Sequence, residues 1–457
     1  MYKKFALLVL PLAISGCFSL NPDYTRPEGV VPAQLPTTGI YGQNQPGAIT
    51  QQQLYWDTYI LNPKLKEIVK NSLDNNKDLR IAMANIDAAK AQYGITKADS
   101  LPTLNGGISG ARSRSAGGIS EGYEANFGIS SFEIDAFGRV KSLSSAALES
   151  FLSTKEARRV TELSVISETM KAYFNIGLAK SHLAIAKKTE ASTYDSLQII
   201  SKRVNVGVAN AKDLSDVESV YFRAQSDVFN YQTQVEQSIN ALAVLVGSNV
   251  DEKLLPEGIF ELADGIKDLN IAVESDVLYQ RPDVLMAEHQ LLAANANIGA
   301  ARAAFFPRIT LTTSAGVASS DLTSLFSNTF RVWNFAPSIN IPIFDYGRTV
   351  GNLKYSEAQK EKYVATYEKT VQTAFREVSD VLARKGTIDN QITSYGKFVN
   401  ANRNSFDLAT KSYDAGVSDY LSVLTAQNNL YDAEKSSLSL AKEKFDNKVD
   451  LYKVIGF

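Results

Sequence analysis

Residues of the types that carry out bond chemistry are scarce in this chain. It has one cysteine, Cys17, and two histidines, His182 and His289. A single cysteine excludes intrachain disulfides, cysteine zinc fingers and iron–sulfur clusters. Both histidines fall in helical patterns with no metal-ligand spacing around them. We therefore expect neither an enzyme nor a bound metal or cofactor, and Cys17 is left as the one candidate for covalent chemistry.

The residues before Cys17 form a candidate leader. Two lysines precede an apolar run over 5–14, which is shorter than the roughly 20 residues of a membrane span and fits a signal peptide. The run ends in Ile-Ser-Gly-Cys, which resembles the lipobox of bacterial lipoproteins; the alternative is an ordinary signal peptide with a chance cysteine. We predict a signal peptide over 1–16 and a lipidated, extended segment over 17–61. By resemblance to Gram-negative lipoproteins, in which an Asp after the Cys favours inner-membrane retention, Phe18 at that position favours the outer membrane.

Composition limits the partners and the ways of crossing a membrane. The 457 residues include 47 Lys and Arg against 49 Asp and Glu, a net charge of -2. No overall positive field gathers phosphates, so nucleic acid is not an expected partner. No apolar run after the leader reaches the roughly 18 residues of a transmembrane helix. Any crossing of the membrane would therefore be by β-strands.

The chain contains two similar halves. Ala-Gln-Tyr-Gly-Ile around Gly94 matches Ala-Asn-Ile-Gly-Ala around Gly299 at an offset of 205 residues, and a proline follows each. Further pairs, at an offset of 209 residues, are Gly138 with Gly347 and Gly207 with Gly416. We predict two structural repeats, over 62–270 and 271–457.

Alternating apolar and polar residues predict two β-strands in each repeat. The predicted strands cover about 103–111, 125–135, 308–318 and 332–343. The last is the clearest, and its length matches a tilted transmembrane strand of about 9–11 residues. Pro337 and Pro342 are a difficulty there, because proline disfavours a central strand.

The stretches after the strands have the period of long amphipathic helices. An a/d seam with steps of three and four residues runs through Val364, Tyr367, Val371, Ala374, Val378 and Val381. A less regular return arm has Leu421, Leu424, Tyr431 and Leu438. Neither 346–388 nor 397–448 contains proline, and 40 helical residues would extend about 60 Å. Periodicity alone leaves an ordinary soluble helix bundle open; the length favours long helices broken once, near Gly207 and Gly416.

Four strands are too few for a membrane barrel, which needs about eight. Each unpaired backbone group at an open edge in lipid costs several kcal/mol. A chain with four spanning strands must therefore share one barrel with copies of itself. A dimer would give eight strands with an interior filled by side chains, and a trimer twelve with room for water. The residues alone do not choose between them, although a channel requires the larger.

Several motifs together resemble one known family, the TolC/OprM-type outer-membrane efflux proteins. They are Pro22-Asp23-Tyr24 with Arg26-Pro27, Arg281-Pro282-Asp283, the run from Ala293 to Pro307, Pro342-Ile343-Phe344 with Gly347-Arg348, and Ala374 to Val378. The resemblance covers nearly the whole chain after Cys17.

The resemblance implies a mixed, mainly α fold. Three chains would share one twelve-stranded β-barrel, four strands from each, continued by a long periplasmic α-helical coiled-coil barrel. An equatorial belt would comprise about 40–70, 248–280 and the C-terminal residues. Members are passive exit ducts of tripartite pumps for drugs or toxic metal ions. They dock a periplasmic adaptor and an inner-membrane RND transporter; the sequence does not choose among the substrates.

The family's docking tips are its periplasmic helix–helix turns, which map to Gly207 and Gly416. Glycine suits such turns because it accepts φ > 0 after a helix. Val208 and Val417 beside them would be exposed, where an adaptor could cover them. Plain turn chemistry is the other interpretation, and the two are compatible.

The family closes its tip with a ring of apolar side chains and rings of carboxylates. Leu421 matches the apolar position, whereas Thr425 stands where relatives often have an acid, with Asp419 close by. The first repeat offers Asp213 and Asp216, and three-fold symmetry would make each a ring that attracts cations. Complementing the positive end of a helix is the other role open to these two acids. We predict that Leu421 with Asp213 or Asp216 forms the closed constriction.

Two other functions stay open at this stage. The same fold serves type I protein secretion, although the lipobox and the Arg-Pro-Asp segment resemble the efflux branch more. A non-conducting coiled-coil lipoprotein with a structural role is the second alternative, and it would not need the alternating strands.

Overall fold

Helices account for most of the chain. The computed structural model describes residues 19–43, 55–262, 264–269, 274–326 and 331–456. The α-helices in these ranges are α1 (Trp56–Tyr59), α2 (Pro63–Asn75), α3 (Lys77–Ala98), α4 (Arg139–Asn205), α5 (Ala211–Val246), α6 (Pro282–Ala303), α7 (Arg348–Asp414) and α8 (Tyr420–Ile455). Short 3-10 helices lie at Gly39–Gln43, Glu252–Leu254, Ile259–Leu262, Ser275–Gln280 and Leu322–Ser324. Among the helices of these ranges, none has the length and apolar character that a membrane crossing requires.

Four antiparallel strands form one sheet in the order β1-β2-β3-β4. They are β1 (Leu104–Ser115), β2 (Gly118–Ile134), β3 (Arg308–Ser319) and β4 (Arg331–Asn340). The first two are longer than the predicted 103–111 and 125–135, because pairing continues up to the tight turn between Ser115 and Gly118. β4 ends at Asn340 instead of 343, ahead of Pro342, which has no N–H for a sheet ladder.

Two irregularities explain why the strand signal was uneven. Pro337 pairs with Leu311 inside β4, which the sheet tolerates because β4 is an edge strand within the chain. In β2 the register shifts between Ile129 and Phe132, and Ser131 has φ 54°. Such a bulge exchanges the faces of odd and even residues. The alternation of β2 is therefore interrupted in the sequence although the strand is continuous.

The register segregates side chains by polarity, because directly paired residues share a face of the sheet. One face carries apolar side chains, among them Ile108, Phe127, Ile129, Leu311, Trp333, Phe335 and Ile339. The opposite face carries mostly polar or small side chains, among them Asn105, Ser109, Glu124, Asn126, Thr310, Asn334 and Ser338. We call these the apolar face and the polar face.

Burial follows the predicted seam of α7. Tyr367, Val371, Ala374 and Val378 have no exposed surface. In the return arm, α8, the predicted seam residues Leu424, Tyr431 and Leu438 are buried. The assignment of Leu421 to this seam is wrong, because its side chain is 52% exposed. The first turn of α8 buries Tyr420, Val423 and Leu424 instead, and Leu421 lies on another side of that turn.

Two compact units each take segments from both predicted repeats. The sheet unit comprises the chain up to Glu28, Ala84–Ala157 and Leu285–Thr370, and contains all four strands. The tip unit comprises Gly29–Met83, Arg158–Val284 and the chain from Val371, and contains the two turns around Gly207 and Gly416.

In the tip unit, a buried arginine joins two of the sequence motifs. Arg281 is 7% exposed. Its Nη2 lies 2.8 Å from both Asp283 Oδ2 and Glu377 Oε2, and its Nη1 donates to the carbonyl of Val454 at 3.1 Å. This network ties the start of α6 to α7 and to the end of α8.

In the sheet unit, the N-terminal segment is held against α6. Glu288 accepts hydrogen bonds from Tyr24 Oη at 3.1 Å and from Arg26 Nε and Nη2 at 2.9 and 2.7 Å. Burial and the charge of Glu288 raise the pKa of Tyr24 well above its ordinary value. Asn295 Nδ2 donates to the carbonyl of Pro22 at 2.7 Å. The predicted lipidation site, Cys17, precedes this segment and lies outside the described residues.

Candidate docking tips and gate

The first predicted tip is a helix C-terminus of the Schellman type. After α4, the N–H of Gly207 donates to the carbonyl of Val204 at 2.9 Å. The N–H of Val208 donates to the carbonyl of Arg203, also at 2.9 Å. This pair of bonds requires a left-handed residue after the helix. Gly207 meets the requirement with φ 75°.

The second predicted tip repeats this geometry. After α7, Gly416 donates to the carbonyl of Tyr413 and Val417 donates to that of Ser412, both at 2.9 Å. Gly416 has φ 74°. The glycines are therefore explained by turn chemistry, and the same motif recurs at an offset of 209 residues.

Apolar side chains at both turns are left in solvent. Val208 is 76% exposed and Val417 is 81% exposed. In a Schellman motif the residue after the glycine often packs on an apolar residue five positions earlier. Those positions hold Arg203 and Ser412, which offer no such partner. The side chains of the two valines are therefore exposed apolar groups on turns whose backbone is hydrogen-bonded.

Each turn leads into a capped helix. Asn210 Oδ1 accepts from the N–H of Asp213 at 2.8 Å at the start of α5. Asp419 Oδ1 accepts from the N–H and the Oγ of Ser422 at 3.0 and 2.7 Å at the start of α8. The bonds from Ser422, with a contribution from the charge of Lys212, lower the pKa of Asp419. Asp419 is therefore an N-cap residue, whereas Asp213 is not a cap.

A lysine that the sequence reasoning missed lies among the predicted gate acids. Lys212 Nζ is 2.6 Å from Asp216 Oδ2. This hydrogen bond raises the pKa of Lys212, and the charges of Asp213 and Asp419 raise it further. One cation therefore partly neutralises the three carboxylates. The i,i+4 spacing of Lys212 and Asp216 was a signal that could have identified the pair.

Leu421 and Thr425 lie together on the exposed side of α8. Thr425 Oγ1 donates to the carbonyl of Leu421 at 2.9 Å, so the hydroxyl is occupied by its own helix. Both side chains are exposed, while their neighbours Val423 and Leu424 are 5% and 3% exposed. Leu421 is thus outside the core, in a position to meet something other than its own chain.

A small core lies between the helices that flank the two turns. It consists of Ile200, Val217, Tyr420, Val423 and Leu424. Above it, Arg203 Nη1 donates to Tyr413 Oη at 2.6 Å, and the guanidinium carbon lies 5.0 Å from the centroid of that ring. Tyr413 also packs edge-on against Tyr420, with 4.9 Å between ring centroids. Arg203 and Tyr413 therefore link the turns directly.

The histidines have structural surroundings. His182 Nε2 lies 3.3 Å from the carbonyl of Lys435, its ring packs on Tyr231, and burial lowers its pKa. His289 Nδ1 lies 2.7 Å from Glu149 Oε2. In the part of the chain that the structure describes, no three His, Cys, Asp or Glu side chains are grouped as a metal site would need.

The chain matches a known family over both halves. The family model described as outer membrane efflux protein matches residues 68–248 and 273–457. A Pseudomonas putida relative, named probable efflux pump outer membrane protein TtgC, is 40% identical and spans 100% of this chain and 96% of its own length. Another Pseudomonas putida relative, named toluene efflux pump outer membrane protein TtgC, is 39% identical with the same coverage.

A solved structure extends the likeness to three dimensions. The open state of the Neisseria gonorrhoeae MtrE outer membrane channel superimposes with a TM-score of 0.85 at 34% identity, over 96% of this chain and 98% of that one. The predicted mixed, mainly α fold with four strands per chain is confirmed. The family acts as a passive channel and not as an enzyme, in agreement with the sequence. The chain belongs to the outer membrane efflux protein family.

Proposed function

We propose that three copies of this chain form the outer-membrane exit duct of a tripartite efflux pump. The observation that carries this proposal is the sheet, which has one apolar face, one polar face and two edges, β1 and β4. In lipid such edges must be paired. Three copies supply twelve strands, enough for a water-filled barrel with the apolar face towards lipid.

The geometry of the two turns supports docking of a partner at the tips. Val208 and Val417 present apolar surface that a partner can cover, and the Schellman bonds fix the backbone beneath them. The partner of this surface is a periplasmic adaptor protein, which connects the duct to an RND transporter in the inner membrane. The names of both TtgC relatives, as outer membrane proteins of efflux pumps, support this assignment.

The tip unit also supplies the gate. Leu421, in the first turn of α8, is exposed within a single chain. Lys212, Asp213 and Asp216 lie in the first two turns of α5. With three copies, the leucines form an apolar constriction beside mixed rings of carboxylates and lysines. The Arg203–Tyr413 hydrogen bond links the two turns, and in this proposal it belongs to the closed state. Opening requires this bond to be broken when the adaptor docks.

Lipidation at Cys17 adds a second attachment to the outer membrane. One acyl-type anchor is marginal alone, whereas three anchors together with a barrel are not. The name of the toluene efflux relative supports one substrate class for this duct. Small apolar or amphiphilic organic compounds, rather than metal ions, are the cargo.

The test is complementation of a deletion strain with the wild type, Val208→Asp with Val417→Asp, and Val244→Asp. Val244 is 76% exposed and lies outside the turns, so it is the matched control. The wild type and the control should restore tolerance of toluene and dyes, and the tip variant should not. The tip variant should still assemble and conduct in a planar bilayer, because only docking is removed. Wild-type protein that neither restores tolerance nor conducts would contradict the proposed function.

A further inference from the structure

The polar face of the sheet carries few charges. Within the strands that the structure describes, they are Glu124, Glu133 and Arg308. Glu133 Oε2 lies 2.6 Å from Arg139 Nη2 and 2.7 Å from Arg308 Nε. Two guanidinium groups therefore neutralise this carboxylate, and it fastens the end of β2 to β3 and to the first turn of α4.

Glu124 has no such compensation. It pairs across the sheet with Ser109 and Ala318, both uncharged. Asn126 Nδ2 donates to Glu124 Oε1 at 2.5 Å, which orients the carboxylate without cancelling its charge. Among the described residues, no Lys or Arg forms an ion pair with it. Glu124 is thus an isolated negative charge on a neutral polar surface.

Strand β2 carries another carboxylate, Glu121, on the apolar face of the sheet. Glu121 is paired with Arg112, and its Oε1 is 2.9 Å from Arg112 Nε. Glu121 and Glu124 are three residues apart in β2. Glu121 lies on the apolar face and is neutralised by Arg112, whereas Glu124 lies on the polar face and has no such partner. They form a matched pair for experiment.

We propose that Glu124 is a charge-selecting residue of the duct. This inference rests on the proposed function, because each of the three copies contributes one Glu124 to the interior of the shared barrel. A ring of carboxylates favours cations and hinders anions in a pore. The ring acts on ions and on charged organic cargo alike: protonated amines pass more readily than carboxylates of similar size.

The test is the reversal potential of the purified protein in a planar bilayer under a potassium chloride gradient. The effect should be largest near 0.01 M salt, where the screening length is about 30 Å. Glu124→Gln should lower the permeability ratio of potassium to chloride by about twofold or more, and Glu124→Lys should lower it further. Glu121→Gln should leave the ratio unchanged. An unchanged ratio in a conducting Glu124→Gln protein would overturn the inference, and so would an equal change in Glu121→Gln.

A second measurement covers the case in which the neutral variants assemble poorly. The chain has one native cysteine, Cys17, so Glu124→Cys in a Cys17→Ser background introduces a single thiol. A positively charged thiol reagent should shift the ratio towards anions, and a negatively charged one should restore cation preference. Glu121→Cys should react without changing the ratio. If both cysteines respond alike, the assignment of faces is wrong. A wild-type protein that fails to conduct contradicts the proposed function instead.

Discussion

Gly299 is a glycine at which the structure predicts a measurable effect of a single methyl group. It lies in α6, and a Cβ added there would overlap Asn21 Oδ1 and approach Asn21 N to 2.8 Å. Asn21 is not free to withdraw, because Ser142 Oγ donates to its Oδ1 at 2.7 Å. Its chain neighbours are also held, because the carbonyl of Pro22 accepts from Asn295 Nδ2 and that of Leu20 from Arg302 Nη1. The matching residue of the first repeat, Gly94 in α3, has open space around it.

The change in the free energy of unfolding of each Gly→Ala variant is the sum of two opposed contributions. Glycine inside a helix costs roughly 0.5–1 kcal/mol relative to alanine, so both substitutions gain that amount. An extra methyl in a packed site costs about 1–3 kcal/mol, and only Gly299→Ala incurs it. Gly94→Ala should therefore be stabilising. The free energies of the two variants should differ by about 1–3 kcal/mol, because the helix term cancels in the comparison.

Amide hydrogen exchange over residues 19–28, in protein solubilised in detergent, measures this difference. Gly299→Ala should lower protection of the segment by about 5-fold to 150-fold relative to Gly94→Ala. Thermal unfolding of both variants provides the control for global effects. Equal protection of the segment in the two variants would refute the reasoning, since it would mean that the segment does not pack on Gly299.

Two further predictions concern charge in the tip unit. Reversing Asp213 and Asp216 together to Lys should change the closed-state conductance and the cation preference; a channel unaltered in both contradicts their role in the gate. Burial lowers the pKa of His182 in the folded state, so the unfolded state binds more protons below about pH 6.5. Stability should therefore fall as the pH drops from about 6.5 towards the lower pKa of His182 in the folded state. His182→Gln should flatten this slope in thermal unfolding; an equally steep slope in the variant contradicts the assignment.

Local backbone requirements were predictable from the sequence. Gly207 and Gly416 marked the helix breaks because a Schellman turn needs a left-handed residue. All the residues that form the turn's hydrogen bonds lie within six consecutive positions of the chain. The a/d seam of α7 was predictable for a similar reason, since helix periodicity fixes which residues share a side. The bulge at Ser131 was not predictable, because a change of parity in a Ser- and Gly-rich strand leaves no distinct pattern.

Contacts between distant residues were the part that the sequence did not reveal. Arg203 and Tyr413 are 210 positions apart, and nothing near either residue indicates its partner. Arg281 and Glu377 appeared in separate motifs, and only the folded chain brings them within 2.8 Å. The seam error at Leu421 has the same origin: which side of the first turn of α8 is buried depends on the core beneath it, not on the spacing along the chain.

Comparison of the two repeats distinguishes residues required by the backbone of the turns from residues that differ at the surface of the tip. The caps Asn210 and Asp419 occupy equivalent positions, and both accept from the third residue of their helix. Two residues beyond each cap, the equivalent positions hold Lys212 in one repeat and Leu421 in the other; Asp216 likewise corresponds to Thr425. Turn and cap chemistry is thus retained in both halves while the outward side chains differ. In the trimer that we propose, charged and apolar tips would alternate around the opening; three leucines would then close it, and three lysine–aspartate pairs would set its electrostatic field.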